Sequence, residues 1–241
     1  MRKTNNNQKR TPKQEGACGQ PAPICYTIFD CFSGIGGMTY GLELTGKFKA
    51  IAFCENEAWA RKVLRKNFPG VPIFRDIKKV KKVDADIFTA GFPCQPFSTA
   101  AHGKNTAVDL WPEFMRVVWL NMPKMVIAEN VQKKPILRAQ KDLQLLGYRC
   151  EIKRIGAHDC GADHIRNRWW AYAHTDHESK LFSTIDAKVA KLPELCKGVW
   201  GPANYARTIR VSDGVSNRMD RLKGLGNSLI PYIPMAIGLA I

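Results

Sequence analysis

Short apolar runs bounded by turn residues recur along this chain, and stretches of helical periodicity separate them. Tyr26 to Asp30, Phe48 to Cys54, Asp86 to Ala90 and Met125 to Ala128 read as strands, as do Arg149 to Ile155 and Trp169 to Ala173. Met38 to Leu44, Ala58 to Phe68, Phe114 to Leu120 and Ile136 to Leu146 read as helices. Such alternation predicts an α/β fold, a doubly wound and mostly parallel sheet with helices on both faces. It also predicts where chemistry belongs. Gly34, Glu55, Cys94 and Glu129 all fall where a strand ends, the edge at which open α/β sheets bind ligands.

Two stretches break the rhythm. Residues 1–23 are rich in Asn, Lys, Gln and Pro and read as a disordered basic arm. Residues 174–208 show no clear period and read as a small separate insert. That leaves 24–173 as the main domain, with 209–241 returning to it as an apolar C-terminal segment. At 241 residues and 45% hydrophobic composition, the chain can bury one sizeable core.

Charge narrows the partners. Lys and Arg number 37 against 21 Asp and Glu, a formal +16. An excess of that size suits a polyanion, most simply nucleic acid. None of the eight cysteines forms a Cys-x-x-Cys pair, so no metal is expected and reduced thiols are. No apolar run reaches membrane-spanning length, and the N-terminus is polar and basic. The expectation is a cytoplasmic monomer that does not engage a membrane.

The run Phe32-Ser33-Gly34-Ile35-Gly36-Gly37 lies between a strand and a helix. Glycines there let a ligand approach the backbone, and the helix start offers free N–H groups. Thr39 stands where a dinucleotide fingerprint has its third glycine, which disfavours a nicotinamide oxidoreductase. Glu55 can accept from ribose hydroxyls, with Glu57 a rival, and Asp76 can accept from an adenine amino group or merely cap a loop. Without a Gly-Lys-Ser/Thr phosphate loop, these residues describe a nucleoside cofactor lacking a phosphate clamp.

Cys94 occupies a turn stiffened by Pro93 and Pro96, a better place for a nucleophilic thiol than for a packing one. Glu129 follows an apolar strand, where burial would raise its pKa and let it act as an acid. Arg166 and Arg168 alternate, as a pair gripping an anion or carbonyl would, or as a solvated basic edge would. His102, His158 and His164 have no evident partner and read as structural or solvent-facing.

Taken together, these residues resemble the cytosine-5 DNA methyltransferases from Tyr26 to Ile241. Gly91 to Ser98 resembles the Pro-Cys catalytic motif, and Phe32 to Gly37 the first motif, which binds S-adenosylmethionine. Glu129-Asn130-Val131 is similar to the Glu-Asn-Val motif, His164 to Arg168 to Gln-x-Arg-x-Arg, and Gly226-Asn227-Ser228 to the C-terminal motif. His164 stands where the family has Gln. The segment from Thr99 to Asp109 and the 174–208 insert are both short for the family, and the motif before Gly226 is not clear.

The resemblance implies a Rossmann-like fold and methylation of double-stranded DNA in a restriction–modification setting, by a compact bacterial or phage enzyme. S-adenosylhomocysteine would be the product. It implies cofactor contacts from Phe32, Ser33, Gly34, Ile35, Gly36, Gly37, Glu55, Asn56, Asp76, Ile77, Gly91, Pro93, Leu110, Asn227 and Ser228. Cys94, Glu129, Arg166 and Arg168 would be catalytic, with Glu129 on the cytosine N3 and Arg166 on its O2. One branch of the family modifies tRNA, and a non-catalytic homologue would bind DNA without reacting.

Overall fold

The computed structural model describes residues 26–93, 108–198 and 229–241. The basic arm, Cys94, Asn227, Ser228, His102, most of the Thr99 to Asp109 segment and the second part of the insert lie outside them.

Seven strands form one sheet: β1 (Tyr26–Cys31), β2 (Phe48–Cys54), β3 (Ile73–Phe74), β4 (Ile87–Gly91), β5 (Met125–Asn130), β6 (Arg149–Gly156) and β7 (Asn167–His174). Their spatial order is β3-β2-β1-β4-β5-β7-β6. The first five pair in parallel, and β7 runs antiparallel between β5 and β6. The order reverses at β1, which has β2 on one side and β4 on the other. A crevice therefore opens at the C-terminal ends of β1 and β4, where the glycine run and Gly91 leave the sheet.

Period-two alternation sends neighbouring residues to opposite cores. Phe29, Phe88, Val126 and Ala171 join the core under α3 (Trp111–Asn121) and α4 (Lys133–Leu145). Ile28, Ile87, Ile127 and Trp170 join the core under α1 (Gly37–Glu43) and the C-terminal helices. α2 (Ala58–Asn67) adds Leu64 to a smaller cluster with Phe53. All six residues of β5 are buried, as expected of an interior strand covered on both faces.

Three findings depart from the sequence expectations. β3 is a two-residue strand, too short to show a period. Glu129 lies inside β5, one residue before its end. The described part of 174–208 is not a separate body. Residues there form α5 (Leu181–Val189) and α6 (Leu192–Leu195), and Phe182, Ile185, Val189 and Leu192 enter the α1-side core. α7 (Tyr232–Ala240) completes that layer with Ile233 and Ile237.

Candidate active site

The glycine turn is built by backbone geometry that few residues adopt. Phe32 (φ 55°), Gly34 (φ 55°) and Gly36 (φ 87°) are all left-handed. For Phe32 that costs on the order of 1–3 kcal/mol, which the surrounding bonds must offset. Ser33 provides two of them, its N–H to the Cys54 carbonyl (3.3 Å) and its hydroxyl to the Asp30 carbonyl (2.6 Å). A Cβ at Gly36 would meet Phe68 Cε2 at 2.6 Å, so the turn rests directly on α2's end. A Cβ at Gly34 would meet nothing within 4 Å, so that position faces open space.

Glu55 closes this corner. It is 7% exposed. Its Oε2 accepts from Gly34 N–H and its Oε1 from Glu57 N–H, each at 2.7 Å. Burial raises its pKa against these bonds. Each oxygen keeps a lone pair for a further donor. Its rival Glu57 is exposed, as is Asn56. Asp76 follows β3, which pairs with the end of β2. One Asp76 oxygen caps Lys78 N–H at 3.0 Å and the other makes no bond among the described residues. Ile77 is buried behind it, and half-buried Leu110 starts α3 beneath Phe114, which packs on Phe32.

A second cluster gathers at β4 and β5. A Cβ at Gly91 would lie 3.7 Å from Glu129 Oε2 and 3.8 Å from the Phe32 carbonyl oxygen. Glu129 is 8% exposed, and burial lifts its pKa to about 7 against the lowering pull of Arg168 and Arg166. Arg168 Nε is 2.9 Å from Glu129 Oε1. The two form an ion pair out of hydrogen-bonding alignment, so Oε1 is buried without a hydrogen bond. Arg166 precedes β7 and is half-buried, its pKa lowered by burial and by Arg168.

Sequence reasoning assigned no role to Asn130 or Asp30. Asn130 is 2% exposed. Its Nδ2 donates to the Phe92 carbonyl (3.0 Å) and fixes the backbone one residue before Pro93. Asp30 is fully buried and accepts from Thr39 (2.9 Å) and Thr89 (2.6 Å), tying β1 to α1 and β4. Both are polar residues at the ends of apolar runs, the signal that singled out Glu129.

Five of the eight cysteines are buried in the described residues: Cys31, Cys54, Cys150, Cys160 and Cys196. Burial pushes the Cys54 and Cys150 thiols up to about 12, so neither supplies a thiolate near neutrality. Among the described residues no group of three His, Cys, Asp or Glu side chains is arranged to hold a metal ion. No described helix is long and apolar enough to cross a membrane.

Residues 26–223 match the family model of the C-5 cytosine-specific DNA methylases. The Type II methyltransferase M.HgiBI of Herpetosiphon aurantiacus is 35% identical in an alignment of 191 positions that covers 67% of this chain and 43% of that protein. M.CviJI of Paramecium bursaria Chlorella virus IL3A is 31% identical in an alignment of 163 positions that covers 62% of this chain and 43% of that one. The chain thus spans about two-fifths of the length of these curated relatives. The S. pombe Dnmt2 methyltransferase structure superposes with a TM-score of 0.55 at 21% identity, over 66% of this chain and 55% of that one, and so shares the fold. With 26–223 matched, this chain belongs to the C-5 cytosine-specific DNA methylase family.

Proposed function

We propose that this chain transfers a methyl group from S-adenosylmethionine to carbon 5 of a cytosine flipped out of duplex DNA, with Cys94 as nucleophile. The observation that carries this reading is Glu129. It is a buried carboxyl with a pKa of about 7, whose Oε2 faces Gly91 and whose Oε1, against Arg168, lacks a hydrogen bond.

The described residues fit the cofactor. Open space at Gly34 admits it, Glu55 offers lone pairs to ribose hydroxyls, and the open Asp76 oxygen suits an adenine amino group. Phe32, Leu110 and Ile77 supply apolar contact. When bound, S-adenosylmethionine supplies the electrophilic methyl. The Cys94 thiolate adds to C6 of the ring, and Glu129 donates to N3 as charge develops there. C5 becomes nucleophilic and takes the methyl as its bond to the sulfonium sulfur breaks, leaving the neutral thioether S-adenosylhomocysteine. A base then removes the C5 proton, N3 returns its proton to Glu129, the C6–S bond breaks, and Cys94 leaves as thiolate. Arg168 pairs with Glu129, and in this reading Arg166 donates to the ring carbonyl. A stacked base cannot reach such a site, so the target must leave the helix.

The test is methyl transfer from labelled S-adenosylmethionine to duplex DNA and to tRNA, alongside Cys94→Ser. Incorporation into DNA that Cys94→Ser abolishes is expected. Equal incorporation by the variant would sink the mechanism, and transfer to tRNA alone would sink the substrate assignment. DNA carrying 5-fluorocytosine should trap a covalent adduct, because fluorine cannot leave as a proton does.

A further inference from the structure

Residues 77–83 alternate between core and solvent. Ile77, Val80 and Val83 are buried, while Lys78, Lys79, Lys81 and Lys82 are exposed. The segment follows β3 and returns to the start of β4, so it descends the α3 side of the sheet. Side chains of α3 pin its backbone. Arg116 donates to the carbonyls of Ile77 (2.8 Å), Val80 (3.0 Å) and Lys78 (3.2 Å). Asn121 donates to the Lys81 carbonyl at 3.0 Å and accepts from Val83 N–H at 2.8 Å. Asp76 caps Lys78 N–H.

Four ammonium groups thus project from a fixed backbone within five residues. None of them is ion-paired among the described residues. The acids at hand are engaged or sparse: Glu113 pairs with Arg116, Asp76 serves as a cap, and Asp84 alone is exposed nearby. Unpaired like charges so close together repel one another. Holding them on a rigid frame is useful when a polyanion arrives, because the ordering has been done in advance.

We propose that this lysine platform is a contact surface for the phosphate backbone of duplex DNA, separate from the Glu129 edge. It rests on the reading of DNA as substrate. The segment begins beside β3, four inter-strand steps from β5, roughly 20 Å at about 4.8 Å each, and runs from there away from the Glu129 edge toward the start of β4. The platform therefore meets phosphates flanking the target rather than the target nucleotide, and it carries no sequence information.

The experiment is fluorescence anisotropy of the full chain with labelled duplexes of two unrelated sequences across a salt series. In K78Q/K79Q/K81Q/K82Q the slope of log K against log salt should flatten by about 3 to 4, since each neutralised phosphate contributes about 0.9. The loss should be equal for both sequences. The single variants Lys79→Gln and Lys82→Gln should each flatten it by about 1, which guards against a quadruple variant that misfolds. The corresponding all-Arg variant should match wild type. An unchanged slope in chain that still methylates DNA would overturn the platform alone. A slope change seen with tRNA but not duplex would overturn it in favour of RNA. Wild-type chain that neither binds nor methylates DNA would instead remove the functional reading.

Discussion

Glu129 is raised in pKa by burial yet sits 2.9 Å from an arginine. The two influences oppose each other, and burial prevails, leaving the proton available near pH 7. That balance has a kinetic consequence. An acid that must donate to N3 loses its proton as pH rises through about 7, so kcat/KM should fall on the alkaline side with that midpoint. Glu129→Gln keeps a hydrogen-bond donor but has no proton to give. We expect kcat to drop by about a hundredfold or more and the alkaline limb attributable to Glu129 to disappear. A variant with the wild-type pH profile would remove Glu129 from the acid role. Asn130 acts differently, since it holds the Phe92 carbonyl and touches the reaction only through the backbone leading to Cys94. Asn130→Ala should lower kcat while leaving that limb in place, as pH profiles of the two variants side by side would reveal.

At the scale of elements, α1 and α7 approach so closely that Gly41 has no room for a side chain. A Cβ there would lie 2.1 Å from the Pro231 carbonyl oxygen and 2.5 Å from Pro234 Cγ. Gly41→Ala should gain about 1 kcal/mol of helix propensity and lose more by forcing the helices apart. A net destabilisation of about 2–3 kcal/mol is expected in urea unfolding. A neutral or stabilising result would show that α7 can shift freely.

The same elements show what a sequence can disclose. Interior strands such as β4 and β5 were legible because both faces are buried and apolar residues run unbroken. Glu129 was legible because it interrupts such a run. β3 was not, since two residues carry no period. The place of β7 between β5 and β6 depends on long-range pairing that local pattern does not encode. α5 had a signal, with Phe182, Ile185 and Val189 at helical spacing, but polar and basic neighbours obscured it. The Glu129–Arg168 pair could not be read at all, because 39 residues of chain separate its members and only the β5–β7 register brings them together.

The whole molecule carries its site at an energetic cost that pH should expose. Burial lifts Asp30 from an ordinary 3.8 to about 6, with its bonds to Thr89 and Thr39 working the other way. Burial lifts Glu129 from 4.5 to about 7 and also raises Glu55. For each of these acids the folded state holds a proton that the unfolded chain has already released. Stability must therefore fall as pH rises from about 4 toward 7 and level off above, by about 3 kcal/mol each for Asp30 and Glu129. Buried His174 works against this trend, because burial and Arg149 lower its pKa and acid then favours unfolding. The decisive quantity is thus the difference between variants rather than the absolute curve. Asp30→Asn and Glu129→Gln should each gain stability relative to wild type on going from pH 5 to pH 8, by about 1–2 kcal/mol for Asp30 and about 2–3 kcal/mol for Glu129. Urea midpoints of the cofactor-free chain across that range measure it. Curves that run parallel to wild type would mean that neither carboxyl is held protonated by the fold, and Glu129 would then lack the proton its proposed chemistry requires.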